Sequence, residues 1–352
     1  MTSPTRSWTT GLGIKAVVVL LLSMLLVSCG SSKKYNEFIP TRILSVGDAM
    51  SYMSFDSSGA VNLLTAGDPN NSNKTGHWLW TYAGNYGLTS MGITPATGTN
   101  LVFFNNNTAY PAGPTSSDAT RATLGTETVI RQQLASLFAA TSPQTGDLVI
   151  LSIGMGDIFA LADSIGDTAT VNAKDPSDPY RPTARAIGLA YANLADSIYQ
   201  RGFKHVLLVP AIDYSTSPYV ATKSATYKNN IAALTELVNL GLNVNCNGGC
   251  SSSLDSKPYP SRAEGVWKFD AYNYLYNIAI RTATYPQFDN SKPVCYIPGT
   301  DPVAQTCVDK ALYNSDTPSL PYYYAGDLFT TPVLHTMVGN YLYAISRGFS
   351  GF

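Results

Sequence analysis

The stretch ILSVGDAMSYMS, residues 43–54, predicts a buried strand that runs into a tight turn and then a helix. Gly47, Asp48 and Ala49 lie at the bend. A serine at position 49 would be a nucleophile held on a strand-to-helix turn, an arrangement suited to acyl transfer. The methyl group of alanine has no lone pair, so ordinary serine chemistry is excluded at this position.

The elements that must position this turn alternate between apolar strands and amphipathic helices. Strands are predicted at 42–48, 146–157 and 204–213, and a strand end followed by a helix within 266–280. Helices are predicted at 77–88, 126–139, 182–203, 224–244 and 330–349. This alternation predicts an α/β fold with a parallel sheet covered on both faces.

In such a sheet, ligands bind beyond the carboxyl ends of the strands. The residues that follow each predicted strand are therefore where chemistry is expected. They are Asp48–Ala49, residues 154–157, Asp213, Asp270 and the loop before the last helix.

Taken in chain order, these strand ends resemble the SGNH/GDSL hydrolase family of serine esterases and lipases. VGDAMS (46–51) is similar to its Gly-Asp-Ser block, AYPAG (109–113) to its oxyanion glycine, and SIGMGD (152–157) to its Gly-x-Asn-Asp block. LFTTPVLHTMVGNYLYA (328–344) is similar to its closing Asp-x-x-His segment. The resemblance covers residues 42–346 and implies a three-layer α/β/α sandwich with a mainly parallel sheet, SGNH-hydrolase-like and flavodoxin-like.

The resemblance assigns one matched position to each catalytic role, and most of these positions have lost the required group. Alanine replaces the nucleophile, glycine replaces the asparagine that donates to the oxyanion, and threonine and leucine replace the closing aspartate and histidine. The matched positions are Asp48, Ala49, Gly113, Gly154, Gly156, Asp157, Thr331 and Leu334. The resemblance thus implies a hydrolase fold whose ester chemistry is degenerate.

A rearranged site is the alternative that these residues leave open. Ser51 lies two residues beyond Ala49, and shifting the closing segment by one residue makes His335 the base. A further shift makes Asp327 its carboxylate. Ser51 has a second interpretation, because a hydroxyl on the first turn of a helix also caps backbone amides.

Two carboxylates each have two interpretations, and two histidines have one. Asp48 either braces the turn or takes part in catalysis, and Asp157 either binds a ligand or organises its own turn. His77 and His205 lie next to apolar runs outside the matched blocks, and we expect half-buried surface histidines there.

The N-terminus is predicted to be a targeting segment. Arg6 and Lys15 precede an apolar run at 16–28 that is shorter than the ~20 residues a membrane-spanning helix needs. The run ends in Leu-Val-Ser-Cys-Gly, which resembles the bacterial lipobox and implies that Cys29 is lipidated after cleavage. The alternative is an ordinary secretory peptide with an incidental cysteine. Ser31 after Gly30 favours the outer membrane, by analogy with the bacterial sorting rule.

Four cysteines follow, namely Cys246, Cys250, Cys295 and Cys307. An even number of cysteines beyond an export signal predicts disulfides, and proximity in sequence favours the pairs 246–250 and 295–307 among three possible pairings. A zinc site is the alternative, although neither pair has a neighbouring histidine or two-residue spacing.

Composition limits the classes of partner. The 352 residues carry a net charge of −1 and 13% charged residues, against about 25% in an average domain, so no basic surface for nucleic acid is indicated. The expected organisation is a signal peptide (1–28), a lipidated cysteine with a tether (29–41) and one domain (42–352). We expect an outer-membrane lipoprotein without a cofactor or metal that binds or scaffolds, with an acylated glycan or lipid as ligand. An active ester hydrolase and a purely structural envelope protein are the alternatives.

Overall fold

The computed structural model describes residues 38–51, 53–55, 61–63, 77–104, 125–242, 266–269, 330 and 332–347. Strands within these ranges are β1 (Arg42–Gly47), β2 (Met53–Phe55), β3 (Val61–Leu63), β4 (Met91–Gly92), β5 (Leu101–Phe103), β6 (Asp147–Ser152), β7 (Val206–Val209) and β8 (Val266–Lys268). Helices are α1 (Trp78–Asn85), α2 (Glu127–Ala140), α3 (Met155–Ile165), α4 (Arg181–Gln200), α5 (Pro218–Ala221), α6 (Ala225–Leu242) and α7 (Pro332–Ser346).

Six of the strands form one sheet in the order β4-β5-β1-β6-β7-β8, and every neighbouring pair is parallel. Ile43 lies opposite Leu101 on one side and Leu148 on the other, which places β1 inside the sheet. The two remaining strands, β2 and β3, form a separate antiparallel pair. The described chain is therefore an α/β protein with a parallel sheet, as the alternation of strands and helices predicts.

The sheet is apolar on both faces, which explains the continuous apolar runs of its strands. Ile43 belongs to one hydrophobic cluster, together with residues of α1, α3, α6 and α7. The next residue, Leu44, belongs to a second cluster that includes residues of α2 and α4. Successive side chains of a strand point to opposite faces, so the two clusters lie on opposite sides of the sheet.

The strand order positions the candidate site. From β1 the chain moves to β5 on one side of it and then to β6 on the other. The carboxyl ends of β1 and β6 therefore flank the point where the strand order reverses, which is where open α/β sheets bind ligands. Asp48 follows β1 directly at this point.

Two predicted elements differ from the structure. The strand predicted at 146–157 ends at Ser152, because Gly154 adopts a φ of +96° and α3 begins at Met155. The helix predicted after Asp48 is a single 3-10 turn, Ala49–Ser51, and a strand follows it instead. Strand β5, which the sequence analysis did not predict, is three residues long and lies beside β1. None of the helices in the described ranges is long and apolar enough to cross a bilayer.

Candidate functional site

Asp48 is a buried carboxylate that ties together three elements. Its Oδ1 accepts hydrogen bonds from the Ser152 hydroxyl at 3.0 Å and from the Met50 amide at 3.2 Å. Its Oδ2 accepts from the Met155 amide at 3.3 Å, at the start of α3. One side chain thus joins the turn after β1, the end of β6 and the first residue of α3.

The hydroxyls beside this carboxylate form a chain that leads to it. Ser51 Oγ lies 2.6 Å from Ser152 Oγ and 3.2 Å from the Asp48 carbonyl oxygen. Because Ser152 gives its only proton to Asp48, Ser51 is the donor in the shorter contact. Both serines are buried. The Ser152 hydroxyl donates to the carboxylate, whereas the Ser51 hydroxyl faces Ser152 Oγ and the backbone carbonyl of Asp48.

Burial raises the pKa of Asp48 from 3.8 to about 6. Hydrogen bonds from Met155, Ser152 and Met50 lower the pKa, and the charge of Asp157 raises it slightly further. The carboxyl is therefore mostly ionised at neutral pH and becomes protonated in mild acid.

His335 lies on the first turns of α7 and is only 3% exposed. Its Nδ1 accepts a hydrogen bond from the Trp78 amide at 3.3 Å. A neutral ring whose Nδ1 accepts must carry its proton on Nε2, and this buried Nε2 has no hydrogen-bond partner within the described structure. Burial lowers the pKa of His335 from 6.5 to about 3, so the ring is neutral at physiological pH.

His77 lies beside His335 and is not the half-buried surface histidine that its sequence context predicts. It is 1% exposed, and its ring centroid lies 5.3 Å from that of His335. Its Nδ1 accepts from the Leu79 amide at 3.2 Å and so caps the start of α1. Burial lowers the pKa of His77 well below its usual value, and the neighbouring His335 lowers it further, while the Met50 backbone acts in the opposite direction.

A small cavity opens at the carboxyl ends of β1, β6 and β7. Its polar lining comes from Asp48, Ser152, Thr330 and His335. Its apolar walls include Met50, Trp78, Val209, Ile212 and Val338. The cavity has a volume of about 30 Å³, which is room for about two water-sized groups, whereas sites for drug-sized ligands enclose about 300–1,000 Å³.

The predicted residues on α3 perform packing and capping roles around this cavity. A Cβ at Gly156 would lie 2.7 Å from the backbone of Gly125, so this position has no room for a side chain. Asp157 accepts from the Glu127 amide at 2.9 Å and from the Tyr191 hydroxyl at 2.5 Å, which links α2 and α4 to α3. Burial raises the pKa of Asp157 as well.

The structure separates the other predicted positions. Ala49 and Leu334 are fully buried in the first hydrophobic cluster. Ser51 and His335 are not hydrogen-bonded to each other, because Nδ1 of His335 binds the Trp78 amide and Nε2 has no partner among the described residues. Asp213 accepts from the Ser215 amide, and burial raises its pKa. Several predicted residues lie outside the described ranges, namely Cys29, Gly113, Cys246, Cys250, Asp270, Cys295, Cys307, Asp327 and Thr331.

Sequence reasoning missed two residues that shape the site. Ser152 is the last residue of β6 and pairs in register with Gly47, so the register of the parallel pair would have pointed to it. Gln133 is a polar residue on the apolar face of α2, among Ile130, Leu134 and Leu137, and that interruption is a signal in the sequence.

No protein-family model matches this chain, and a search of curated proteins found no significant match. Within the described ranges, no group of three or more histidine, cysteine, aspartate or glutamate side chains could hold a metal ion. The geometry around Asp48 and His335 is therefore the basis for a proposed function.

Proposed function

We propose that this protein is a lipid-anchored envelope protein whose SGNH/GDSL-like domain has lost ester chemistry and acts as a binding or scaffold module. The observation that carries the proposal is the hydrogen bonding of His335. Its Nδ1 is an acceptor for a backbone amide, although a catalytic histidine needs that nitrogen as a donor to a carboxylate.

The protonation of His335 supports the same conclusion. General bases work best with a pKa near the operating pH, and burial lowers the pKa of this ring to about 3. A neutral imidazole with so low a pKa is a weak acceptor for a serine proton. The Ser152 hydroxyl donates to the Asp48 carboxylate instead, and Ser51 Oγ lies 2.6 Å from Ser152 Oγ.

The oxyanion side of the site supports the proposal as well. A hydrolase stabilises the developing oxyanion with preorganised donors, and loss of one donor costs about 3–4 kcal/mol of barrier. The asparagine of the resembled block has no counterpart here, because the backbone of Gly125 lies where a side chain on residue 156 would begin.

Two features favour the SGNH-like, three-layer form of the fold. If the two-residue β4 is set aside, the sheet order is β5-β1-β6-β7-β8. Numbered again in chain order, these five strands are arranged 2-1-3-4-5, which is the flavodoxin-like order. The two apolar clusters, each with its own helices, fit a sheet covered on both faces. The lipobox-like segment ending at Cys29 supports an outer-membrane anchor, and an acylated glycan or lipid is the proposed ligand.

The proposal is tested by hydrolysis of p-nitrophenyl acetate and p-nitrophenyl butyrate by the full chain in detergent. Ser51→Ala, Ser152→Ala and His335→Ala variants are compared with the unaltered protein. We expect no turnover above buffer in any of them. Turnover that His335→Ala and one serine variant both abolish would show a working hydrolase and overturn the proposal.

An active hydrolase with a rearranged site is the second candidate, because a serine and a histidine do line one cavity. Ser152 and His335 both face the space beyond β6. For this function, substrate binding would have to turn the Ser152 proton from Asp48 toward His335. The serine and histidine variants in the same assay distinguish the two candidates.

A further inference from the structure

The cavity at the strand ends contains a hydrogen-bond donor that the described protein leaves unmatched. His335 is 97% buried, lines the cavity and has no partner for Nε2. The Trp78 amide occupies Nδ1, so the proton of the neutral ring lies on Nε2. A buried donor without an acceptor destabilises the structure, and a bound acceptor group would recover much of that lost free energy.

An acceptor that carries charge lines the same cavity. The Asp48 carboxyl accepts from Ser152, Met50 and Met155, and a carboxylate oxygen can accept more than one hydrogen bond. A ligand group that both accepts and donates can therefore satisfy His335 and bind the carboxylate. A hydroxyl does both, whereas an anion would meet the negative charge of Asp48, and the described residues that line the cavity include no cation to balance it.

Size and lining restrict the rest of the ligand group. A volume of about 30 Å³ holds about two non-hydrogen atoms of water size. The walls of Trp78, Val209 and Val338 suit a carbon next to the hydroxyl. A terminal hydroxymethyl group has this size and this combination of a polar and an apolar end.

We propose that the cavity binds the terminal CH₂OH group of a neutral alcohol or polyol, with the His335 Nε2–H donating to its oxygen and Asp48 accepting its proton. This inference rests on the proposed binding function of the site and names the ligand class. The rest of the ligand lies outside the cavity, which has room for little more than this group.

The experiment uses the full chain in detergent with ¹⁵N-labelled histidine. The chain has three histidines, so the imidazole spectrum contains His335, the adjacent His77 and His205. Methanol is the probe, acetonitrile tests an acceptor that cannot donate, and formate tests an anion. We expect methanol to shift the His335 Nε2 resonance saturably, with a Kd of about ten millimolar or weaker for so small a ligand. Acetonitrile should bind at least about threefold more weakly, and formate should leave His335 unchanged.

A cavity-filling variant makes the test specific. Val338→Leu adds one methylene at the wall and should weaken methanol binding at least about tenfold while His335 keeps its donor. Its matched control is Val220→Leu, a buried valine in the same hydrophobic cluster that does not line the cavity. If either variant does not fold, the titrations of the unaltered protein decide.

A linear shift of all three histidines, an equal response to formate, or unchanged binding in a folded Val338→Leu variant would overturn this inference. None of these results would restore ester chemistry, so the proposed function would stand. Ester turnover that depends on His335 would overturn the proposed function first.

Discussion

The side-chain amide of Gln133 makes two hydrogen bonds with the backbone of a single residue, Gly47. Gln133 Oε1 accepts from the Gly47 amide at 2.7 Å, and Gln133 Nε2 donates to the Gly47 carbonyl at 2.9 Å. The pairing of β1 with β5 extends only to Ser45, so the amide of Gln133 replaces strand pairing at the end of β1. This contact holds the backbone immediately before Asp48.

We expect Gln133→Leu to lower the free energy of unfolding by about 2–4 kcal/mol, because it leaves a buried amide and a buried carbonyl of Gly47 without partners. Urea denaturation followed by circular dichroism measures the loss. Gln132→Leu on the exposed side of the same helix is the matched control and should change stability by less than about 0.5 kcal/mol. Equal losses in the two variants would contradict the role assigned to Gln133.

Gly156→Ala should destabilise the protein by about 1–3 kcal/mol, because the new Cβ would lie 2.7 Å from the Gly125 backbone. Gly84→Ala in α1 is the matched control, since no atom lies within 4 Å of its added Cβ. Alanine there should stabilise the helix by about 0.5 kcal/mol. Thermal unfolding of both variants checks the contrast, and a neutral Gly156→Ala would contradict the steric conflict with the Gly125 backbone.

Acid should weaken the fold through His335. Its pKa is about 3 in the folded protein and 6.5 in the unfolded chain, so the unfolded chain binds more protons between these values. Stability is therefore lost as the pH falls below 6.5, by about 1.4 kcal/mol per pH unit from this group. His335→Gln retains an acceptor for the Trp78 amide and should show a shallower acid loss in denaturation curves. An unchanged slope would mean that the ring is protonated in the fold.

Asp48 should act in the opposite direction. Its pKa is raised to about 6 in the fold against 3.8 when unfolded, so its protonated form stabilises the fold and that contribution is lost as the pH rises through 6. Asp48→Asn places an amide against the Met155 donor and should cost about 1–3 kcal/mol. Relative to the unaltered protein, the deficit should be greatest near pH 4 and should decrease toward neutral pH. A deficit that grows with pH would contradict the raised pKa.

Much of the fold could be predicted from sequence, because its signals are local. The strand β1 is buried on both faces and therefore reads as a continuous apolar run. The apolar spacing of α2 and α4 likewise predicts their positions to within a few residues. Strand β5 was missed because three residues carry too short a pattern to separate a strand from a loop.

The sequence by itself determined that Asp48 follows a buried strand and that position 49 has no nucleophile. Only the tertiary structure decided which groups meet Asp48 and His335. Ser152 is 104 residues from Asp48, and Trp78 is 257 residues from His335. Such contacts depend on the register of β1 against β6 and on the packing of α7 against α1. The same packing places His77 beside His335 and buries both rings, and that burial, which no local pattern encodes, lowers their pKa values.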